Sequence, residues 1–263
     1  MESVTANNFN IAFERRGAGP PLVLLHGVLG DHRFWRPQLE GLAGAFTVIA
    51  WDAPGAGQSD DPPEFFSMDD FADCAAAFIR ALGIEQAHVG GLSLGGAFAL
   101  ALYRRHSSLV RSLILADTYA GWKGSLPPDV VQARLEQCLR ESEMAAEEFI
   151  PGWLPGLLPA DAPAKLVDDV TATMSDFHPV GYRSMIRAMA DADERETLGS
   201  IRVPTLLVWG EVDQRSPLSV AEQFRESIPG SRLVTIPGCG HLPSCQRPDA
   251  FNNAVREFCL SVA

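Results

Sequence analysis

The chain has 263 residues, of which 46% are hydrophobic, and it carries a formal net charge of -12 at pH 7. This apolar content supports a folded core and excludes a disordered chain. The acidic balance argues against nucleic acid or an anionic membrane surface as a partner. We expect a cytoplasmic protein, because the N-terminal stretch lacks the basic start and apolar run of a signal peptide, and no segment is apolar enough to span a membrane. The five cysteines form no C-x-x-C pair, so free thiols are predicted and zinc is not.

Short apolar runs that stop at turn residues alternate with helical patterns along most of the chain. The runs are typical of parallel strands buried on both faces, and they lie at 21–25, 47–51, 87–89, 110–116, 205–209 and 232–236. Helical patterns lie at 71–82, 94–105, 218–227 and 249–260. This alternation predicts an α/β fold with a doubly wound, mostly parallel sheet, to which residues 3–16 add an antiparallel edge hairpin.

The alternation breaks between residues 120 and 198. Seven prolines are mixed there with short helical stretches, and no strand pattern is found. We interpret this segment as a helical cap over the carboxyl ends of the strands, where open α/β sheets bind their ligands. The predicted division is a core in two parts, residues 1–119 and 199–263, with a cap at 120–198.

The pentapeptide at 91–95 (GLSLG) matches G-x-S-x-G and stands between a predicted strand and a predicted helix, the context that this motif requires. A serine on so tight a turn leaves room only for small neighbours two residues away on each side. The helix that follows directs its free N–H groups and the positive end of its dipole at the same place, which favours an oxyanion. Ser93 is therefore the predicted nucleophile.

His241 and Asp213 are the predicted base and orienting acid. Of the six histidines, only His26 and His241 follow a predicted strand in a Gly-rich loop. His26 precedes the serine, contrary to the chain order Ser, acid, His. Asp213 has the right order and follows a strand end, whereas Asp117 and Glu211, which also follow strand ends, remain alternatives.

The backbone N–H groups of Val28 and Leu94 are predicted to form an oxyanion hole. Val28 lies in the loop after the first parallel strand, and Leu94 directly follows the nucleophile. Residues 52–59 (DAPGAGQS) are also Gly-rich, but they lack the Lys of a phosphate-binding P-loop, so a turn is predicted there.

Aromatic and charged residues of the predicted cap are candidates for substrate binding, and one of its arginines could face a substrate carboxylate. The alternative is that the aromatics pack in the core and the arginines are solvated. The candidates are Trp122, Trp153, His178, Arg183 and Arg187.

Taken together, the motifs resemble the α/β-hydrolase superfamily across nearly the whole chain. The His-Gly turn at 26–27, D-x-x-G-x-G-x-S at 52–59, G-x-S-x-G-G at 91–96, W-G-x-x-D at 209–213 and G-x-G-H at 238–241 occur in register. Within the superfamily, residues 240–243 (GHLP) and 246–252 (QRPDAFN) are similar to 3-oxoadipate enol-lactonases and related small esterases. Haloalkane dehalogenases carry Asp where this chain has Ser93, which argues against dehalogenation.

The resemblance implies a serine hydrolase that cleaves a small carboxylic ester or lactone, an enol-lactone included, through an acyl-enzyme and without a metal or organic cofactor. Because a fold does not fix a function, three alternatives with the same triad stay open. They are hydrolysis of a C–C bond in a β-diketone-like substrate, a perhydrolase or haloperoxidase-like side activity, and a ligand receptor with slow turnover. The sequence leaves the oligomeric state open.

Overall fold

Eight strands form a single sheet in the computed structural model, which describes residues 1–262. Along the sheet the order is β1-β2-β4-β3-β5-β6-β7-β8. The pairs β1–β2 and β2–β4 are antiparallel, and every other neighbouring pair is parallel. This topology confirms the predicted fold class and the edge hairpin. The strands are β1 (Glu2–Ala6), β2 (Phe9–Arg16), β3 (Pro21–Leu25), β4 (Thr47–Trp51), β5 (Ala87–Leu92), β6 (Val110–Ala116), β7 (Thr205–Gly210) and β8 (Arg232–Ile236).

Eleven α-helices in residues 1–262 cover the sheet and the space above its carboxyl edge. None of these helices combines the length and the apolar character that a bilayer crossing requires. They are α1 (Arg36–Gly41), α2 (Met68–Ala81), α3 (Leu94–His106), α4 (Pro128–Glu141), α5 (Ala146–Leu157), α6 (Ala164–Ser175), α7 (Pro179–Asp191), α8 (Arg195–Ser200), α9 (Leu218–Ser227), α10 (Pro243–Gln246) and α11 (Pro248–Ser261).

The helix α2 shows why these residues form these elements. Its N-terminus carries a capping box, in which Ser67 Oγ accepts from Asp70 N and Asp70 Oδ2 accepts from Ser67 N. The apolar stripe of the helix is fully buried, and Phe71 stacks on Phe98 of α3 with ring centroids 4.7 Å apart. Helix and sheet therefore share one core, which includes all six residues of β5.

Five helices, α4 to α8, lie between β6 and β7, in the part of the chain where the sequence predicts a cap. Their aromatic side chains pack on one another: Trp153 and Tyr182 have ring centroids 6.5 Å apart, and both donate a hydrogen bond to the buried carboxylate of Glu141. The predicted helical character of this segment agrees with the structure. The division into core and cap at residues 119 and 198 stays a prediction.

Candidate active site

Ser93 occupies the turn between β5 and α3, in a backbone conformation that L residues rarely adopt, with φ 55° and ψ -121°. Its N–H donates to the carbonyl of Ala116, and its carbonyl accepts from Thr118 Oγ1 at 2.6 Å. A non-Gly residue at positive φ is unfavourable unless its surroundings hold it there. The hydrogen bonds to the end of β6 supply that restraint and fix the direction of the serine side chain.

The glycines around Ser93 are required by close approaches of the backbone. A Cβ on Gly91 would lie 2.1 Å from the carbonyl oxygen of Gly95, and one on Gly95 would lie 2.1 Å from that of Leu25. A Cβ on Gly96 would meet the Thr118 side chain at 2.5 Å. These spacings are far below van der Waals contact, so the G-x-S-x-G-G pattern is a steric requirement of this turn.

Ser93, His241 and Asp213 form one hydrogen-bonded series. His241 Nε2 lies 3.0 Å from Ser93 Oγ, and His241 Nδ1 lies 2.9 Å from Asp213 Oδ2. Asp213 also accepts from the N–H of Arg215 and from Ser216 Oγ. Burial favours the neutral acid, but the charge and hydrogen bond of His241 and these two donors outweigh it and lower the pKa of Asp213. The acid is therefore ionised where it faces the imidazole.

The loop that carries His241 is held by a helix of the insertion. The His241 N–H donates to the carbonyl of Leu157, the last residue of α5, at 3.0 Å. The same carbonyl accepts from Gln246 Nε2 at 3.1 Å, and Gln246 Oε1 accepts from Gly240 N at 2.9 Å. The loop continues from the end of β8, and its hydrogen bond to α5 fixes the position of His241.

The two alternative acids have other partners. Asp117 Oδ1 accepts from Gly210 N at 2.9 Å, and its Oδ2 has no hydrogen-bond partner among residues 1–262. Complete burial, followed by the charge of Asp213, raises the pKa of Asp117 well above its ordinary value. Glu211 is exposed and accepts from Gly238 N. The structure places Asp213, and neither alternative, in hydrogen-bond contact with His241.

The predicted oxyanion donors face the same space as the serine. Val28 and Leu94 both line the cavity that contains Ser93 and His241. Leu94 is the first residue of α3, so its N–H has no intrahelical acceptor, and neither N–H finds a protein acceptor elsewhere in residues 1–262. The two N–H groups are therefore available to an oxygen beside Ser93.

The stretch at 52–59 anchors the loop that carries Val28. Asp52 Oδ1 accepts from both the N–H and the Nδ1 of His32 at 2.8 Å, and Asp52 Oδ2 accepts from Gln58 N at 2.9 Å. His26 Nε2 accepts from Ala53 N at 2.9 Å. The segment is a turn that ties the loop after β4 to the loop after β3, in agreement with the sequence interpretation.

The ion pair of His32 and Asp52 makes stability depend on pH. Burial opposes the charged imidazole, but the hydrogen bond and charge of Asp52 outweigh it and raise the pKa of His32. Burial also opposes the Asp52 carboxylate, and the His32 hydrogen bond and charge again outweigh it, so the pKa of Asp52 is lowered. The stabilisation from His32 is fully present below the pKa of an unfolded histidine and is lost as pH rises through the raised value. The contribution of Asp52 is lost only at acidic pH.

We expect His32→Asn, which keeps a hydrogen-bonding group but removes the charge, to lower the free energy of unfolding by about 1.5–3 kcal/mol at about pH 5.5. At about pH 8.5 the difference between variant and wild type should be smaller, because the folded wild type loses the charge of His32 as the pH rises through its raised pKa. Urea unfolding of both proteins at the two pH values measures this. Equal differences at both pH values would show that His32 contributes packing and not charge.

Two clusters of acids and histidine bring potential metal ligands together, in each case with ligand atoms within 4.8 Å of one another. The first cluster consists of Asp31, His32 and Asp52. In it, Asp31 already accepts hydrogen bonds from Arg33, and His32 is already hydrogen-bonded to Asp52. The second joins Asp117 to Asp213 and His241, which are hydrogen-bonded as described above. A bound ion would have to displace these pairings in either place.

A small cavity opens beside Ser93, with about 50 Å³ of space that the centre of a water molecule can reach. That is room for a few waters, since one water needs about 10–15 Å³ of such space. Two of the predicted substrate-binding residues, Trp122 and Trp153, line it. Most of its other side chains are apolar: Phe34, Leu157, Met174, Ile186, Met189 and Leu242.

The structure does not bring His178, Arg183 or Arg187 to this cavity, and their prediction as substrate-binding residues is corrected accordingly. His178 pairs with Asp61 at 2.7 Å, and both arginines lie 3.7 Å from Glu64. The physical reason is the orientation of α7, which turns Ile186 and Met189 to the cavity. Positions 183 and 187 are four residues apart and share another face of that helix.

Sequence reasoning missed two arginines that do line the cavity, Arg134 of α4 and Arg215 of the loop after β7. Arg215 could have been proposed from the sequence, since it stands two residues after the predicted acid. Arg134 carried none, because the helical pattern of α4 does not say which of its faces meets the sheet edge.

The comparisons with known proteins identify the family of the chain. Residues 20–248 match the family model described as alpha/beta hydrolase fold, and the chain belongs to this family, as its motifs predict. RutD of Azorhizobium caulinodans, whose name provisionally assigns it to carbamate hydrolysis, is 31% identical over 258 residues and 95% of each chain. The 3-oxoadipate enol-lactonase 1 of Acinetobacter baylyi is 26% identical over 249 residues, 92% of this chain and 90% of that one. A thermophilic esterase from Thermogutta terrifontis, solved with malate bound, has a TM-score of 0.89 at 30% identity, over 99% of this chain and 98% of that one.

Proposed function

We propose that this hydrolase cleaves a carboxylic ester or a lactone through a Ser93 acyl-enzyme. One observation carries the proposal: the series from Ser93 Oγ to His241 and from His241 to Asp213, with distances of 3.0 and 2.9 Å, beside two N–H groups without an acceptor. That arrangement performs nucleophilic acyl transfer in proteins of unrelated folds. The names of the esterase and the enol-lactonase among the relatives support the choice of bond.

In the acylation step, His241 Nε2 takes the proton of Ser93 Oγ as the oxygen attacks the carbonyl carbon of the substrate. The N–H groups of Val28 and Leu94 bind the oxyanion that forms. Ionised Asp213 holds the imidazole in the tautomer with a proton on Nδ1 and stabilises the positive charge that develops on the ring. His241 then gives its proton to the leaving alkoxide.

In the deacylation step, water takes the place of the leaving group. His241 removes a proton from this water, whose oxygen attacks the acyl carbon, and the proton passes to Ser93 Oγ as the acid leaves. In an opened lactone, the leaving hydroxyl stays attached to the acyl chain. The small cavity favours a short acyl group, because little more than a few waters must be displaced.

A substrate panel tests the proposal, with Ser93→Ala as the blank for each compound. We expect wild type to hydrolyse short neutral esters and lactones, and we expect no Ser93-dependent cleavage of a β-diketone. Release of acid is followed by titration at constant pH. Ser93-dependent turnover of the diketone alone would replace the ester proposal by C–C bond hydrolysis. Binding of all compounds without turnover would indicate a receptor.

A further inference from the structure

Arg134 and Arg215 bring two positive charges to the wall of a mostly apolar cavity. Both are partly buried, and both line the same cavity as Ser93 and His241. Within residues 1–262, no carboxylate lies within the 4.0 Å of an ion pair from either guanidinium. The two guanidinium groups therefore face the cavity without an acidic partner, in a chain with a net charge of -12.

Several other arginines of the insertion and its surroundings have acidic partners. Arg104 pairs with Glu194, Arg195 with Asp193, and the two arginines of α7 with Glu64. Acidic side chains are thus present on this surface, but within the described residues none forms an ion pair with the two arginines of the cavity.

Tryptophans hold the two guanidinium groups in place. Arg215 Cζ lies 3.9 Å from the ring centroid of Trp153, and Arg134 Cζ lies 5.6 Å from that of Trp122. The buried carboxylate of Glu141 lies beside Trp153, but its Oε2 accepts from Trp153 Nε1 and from a tyrosine. Stacking through the ring face positions a cation without using its N–H donors, so these donors can also bind a ligand.

The two neighbouring, partly buried charges destabilise the protein when no anion is bound. Burial, followed by the positive charge of Arg134, lowers the pKa of Arg215, although a guanidinium stays protonated at neutral pH. An anion in the cavity would relieve both effects, because it supplies the opposite charge and accepts hydrogen bonds from the guanidinium N–H groups.

We propose that the substrate carries a carboxylate, held by Arg134 and Arg215 while Ser93 attacks the ester or lactone carbonyl. This inference rests on the proposed function and names its substrate class: short half-esters of dicarboxylic acids and lactones that bear an acid group. The small cavity limits the chain between the carboxylate and the reacting carbonyl to a few carbons.

Two methyl esters of matched shape test the inference. Monomethyl succinate carries a carboxylate where methyl levulinate carries a neutral methyl ketone. Wild type should show the higher kcat/KM for the half-ester. Arg215→Gln and Arg134→Gln should each lower that kcat/KM about 10-fold or more, mainly by raising KM, and should change the levulinate value by less than about threefold.

Control variants keep the test specific. Arg215→Lys keeps a charge and should retain more half-ester activity than Arg215→Gln, provided that both fold, as unchanged levulinate turnover would show. Arg183→Gln and Arg187→Gln remove arginines that lie outside the cavity and should leave both substrates unaffected. Equal losses for both esters in the Arg134 and Arg215 variants would overturn the inference, since the effect would then be structural.

A binding measurement separates failure of this inference from failure of the proposed function. Succinate is titrated calorimetrically into Ser93→Ala and into the double variant that also carries Arg215→Gln. Tighter binding to Ser93→Ala supports the anion site even if neither ester is cleaved, and the ester proposal alone then fails. Cleavage of methyl levulinate without any preference for the half-ester, together with no succinate binding, refutes the anion site and leaves the esterase standing.

Discussion

Ser93→Ala should lower kcat by at least about three orders of magnitude on any ester or lactone that the wild type cleaves. The loss is this large because the variant has no atom that can form the acyl-enzyme, and His241 then has no nucleophile to deprotonate. What remains is the stabilisation that the two N–H groups and the cavity provide to attack by water. Steady-state kinetics of both proteins on the same ester measure the loss.

An organophosphonate provides the independent check, because it should label Ser93 alone, and peptide mass spectrometry locates the label. Ser175→Ala is the matched control: this serine is exposed on α6, donates only to the carbonyl of Thr171, and should be dispensable. Label on any other serine, or full activity of Ser93→Ala, would refute the assignment of the nucleophile.

Asp213→Asn should lower kcat by about ten-thousand-fold and leave the fold intact. The amide is neutral and presents either a donor or an acceptor to His241 Nδ1, so it neither fixes the required tautomer nor stabilises the imidazolium. Asp117→Asn is the matched control, with an expected loss below about tenfold. Burial raises the pKa of Asp117 and so favours its neutral form, and an amide there is neutral too and keeps an acceptor for Gly210 N.

Circular dichroism and thermal unfolding of both variants show whether each has folded before its kcat is compared with wild type. If Asp117→Asn lost activity and Asp213→Asn kept it, Asp117 would be the orienting acid. Equal and large losses would mean that the two buried carboxyls act as one coupled group.

Most of the sheet could be predicted because each strand is a short apolar run ended by a turn residue. Strands β3, β4, β6 and β8 have the bounds that the sequence predicts. The prediction ended β5 too early, at residue 89, because Gly90 and Gly91 were interpreted as a turn. They belong to the strand, where a Cβ on Gly90 would lie 2.8 Å from Leu24 Cδ2 of the neighbouring strand. The C-terminal end of β5 is therefore decided by packing between strands, which cannot be read from the sequence.

The serine, the acid and the histidine could be proposed together because each follows a strand of the same parallel sheet, and parallel strands bring their carboxyl ends to one edge. The lining of the cavity could not be predicted in this way. Arg183 and Arg134 both lie on helices of the insertion, and only tertiary packing decides which helix face meets the serine. The hypothesis that an arginine binds a substrate carboxylate therefore now concerns Arg134 and Arg215 in place of Arg183 and Arg187.

The hydrogen bond between His241 N–H and the Leu157 carbonyl makes the end of α5 a structural support of the general base. The same helix carries Trp153, on which Arg215 stacks. A misplacement of about 1 Å at a reacting group can cost a hundredfold in rate. A movement of α5 that widened the cavity would therefore also displace His241 and lower the rate of the reaction. The open protein would then admit solvent and substrate without performing chemistry, and reactivity would return only as the helix settled back over the bound molecule.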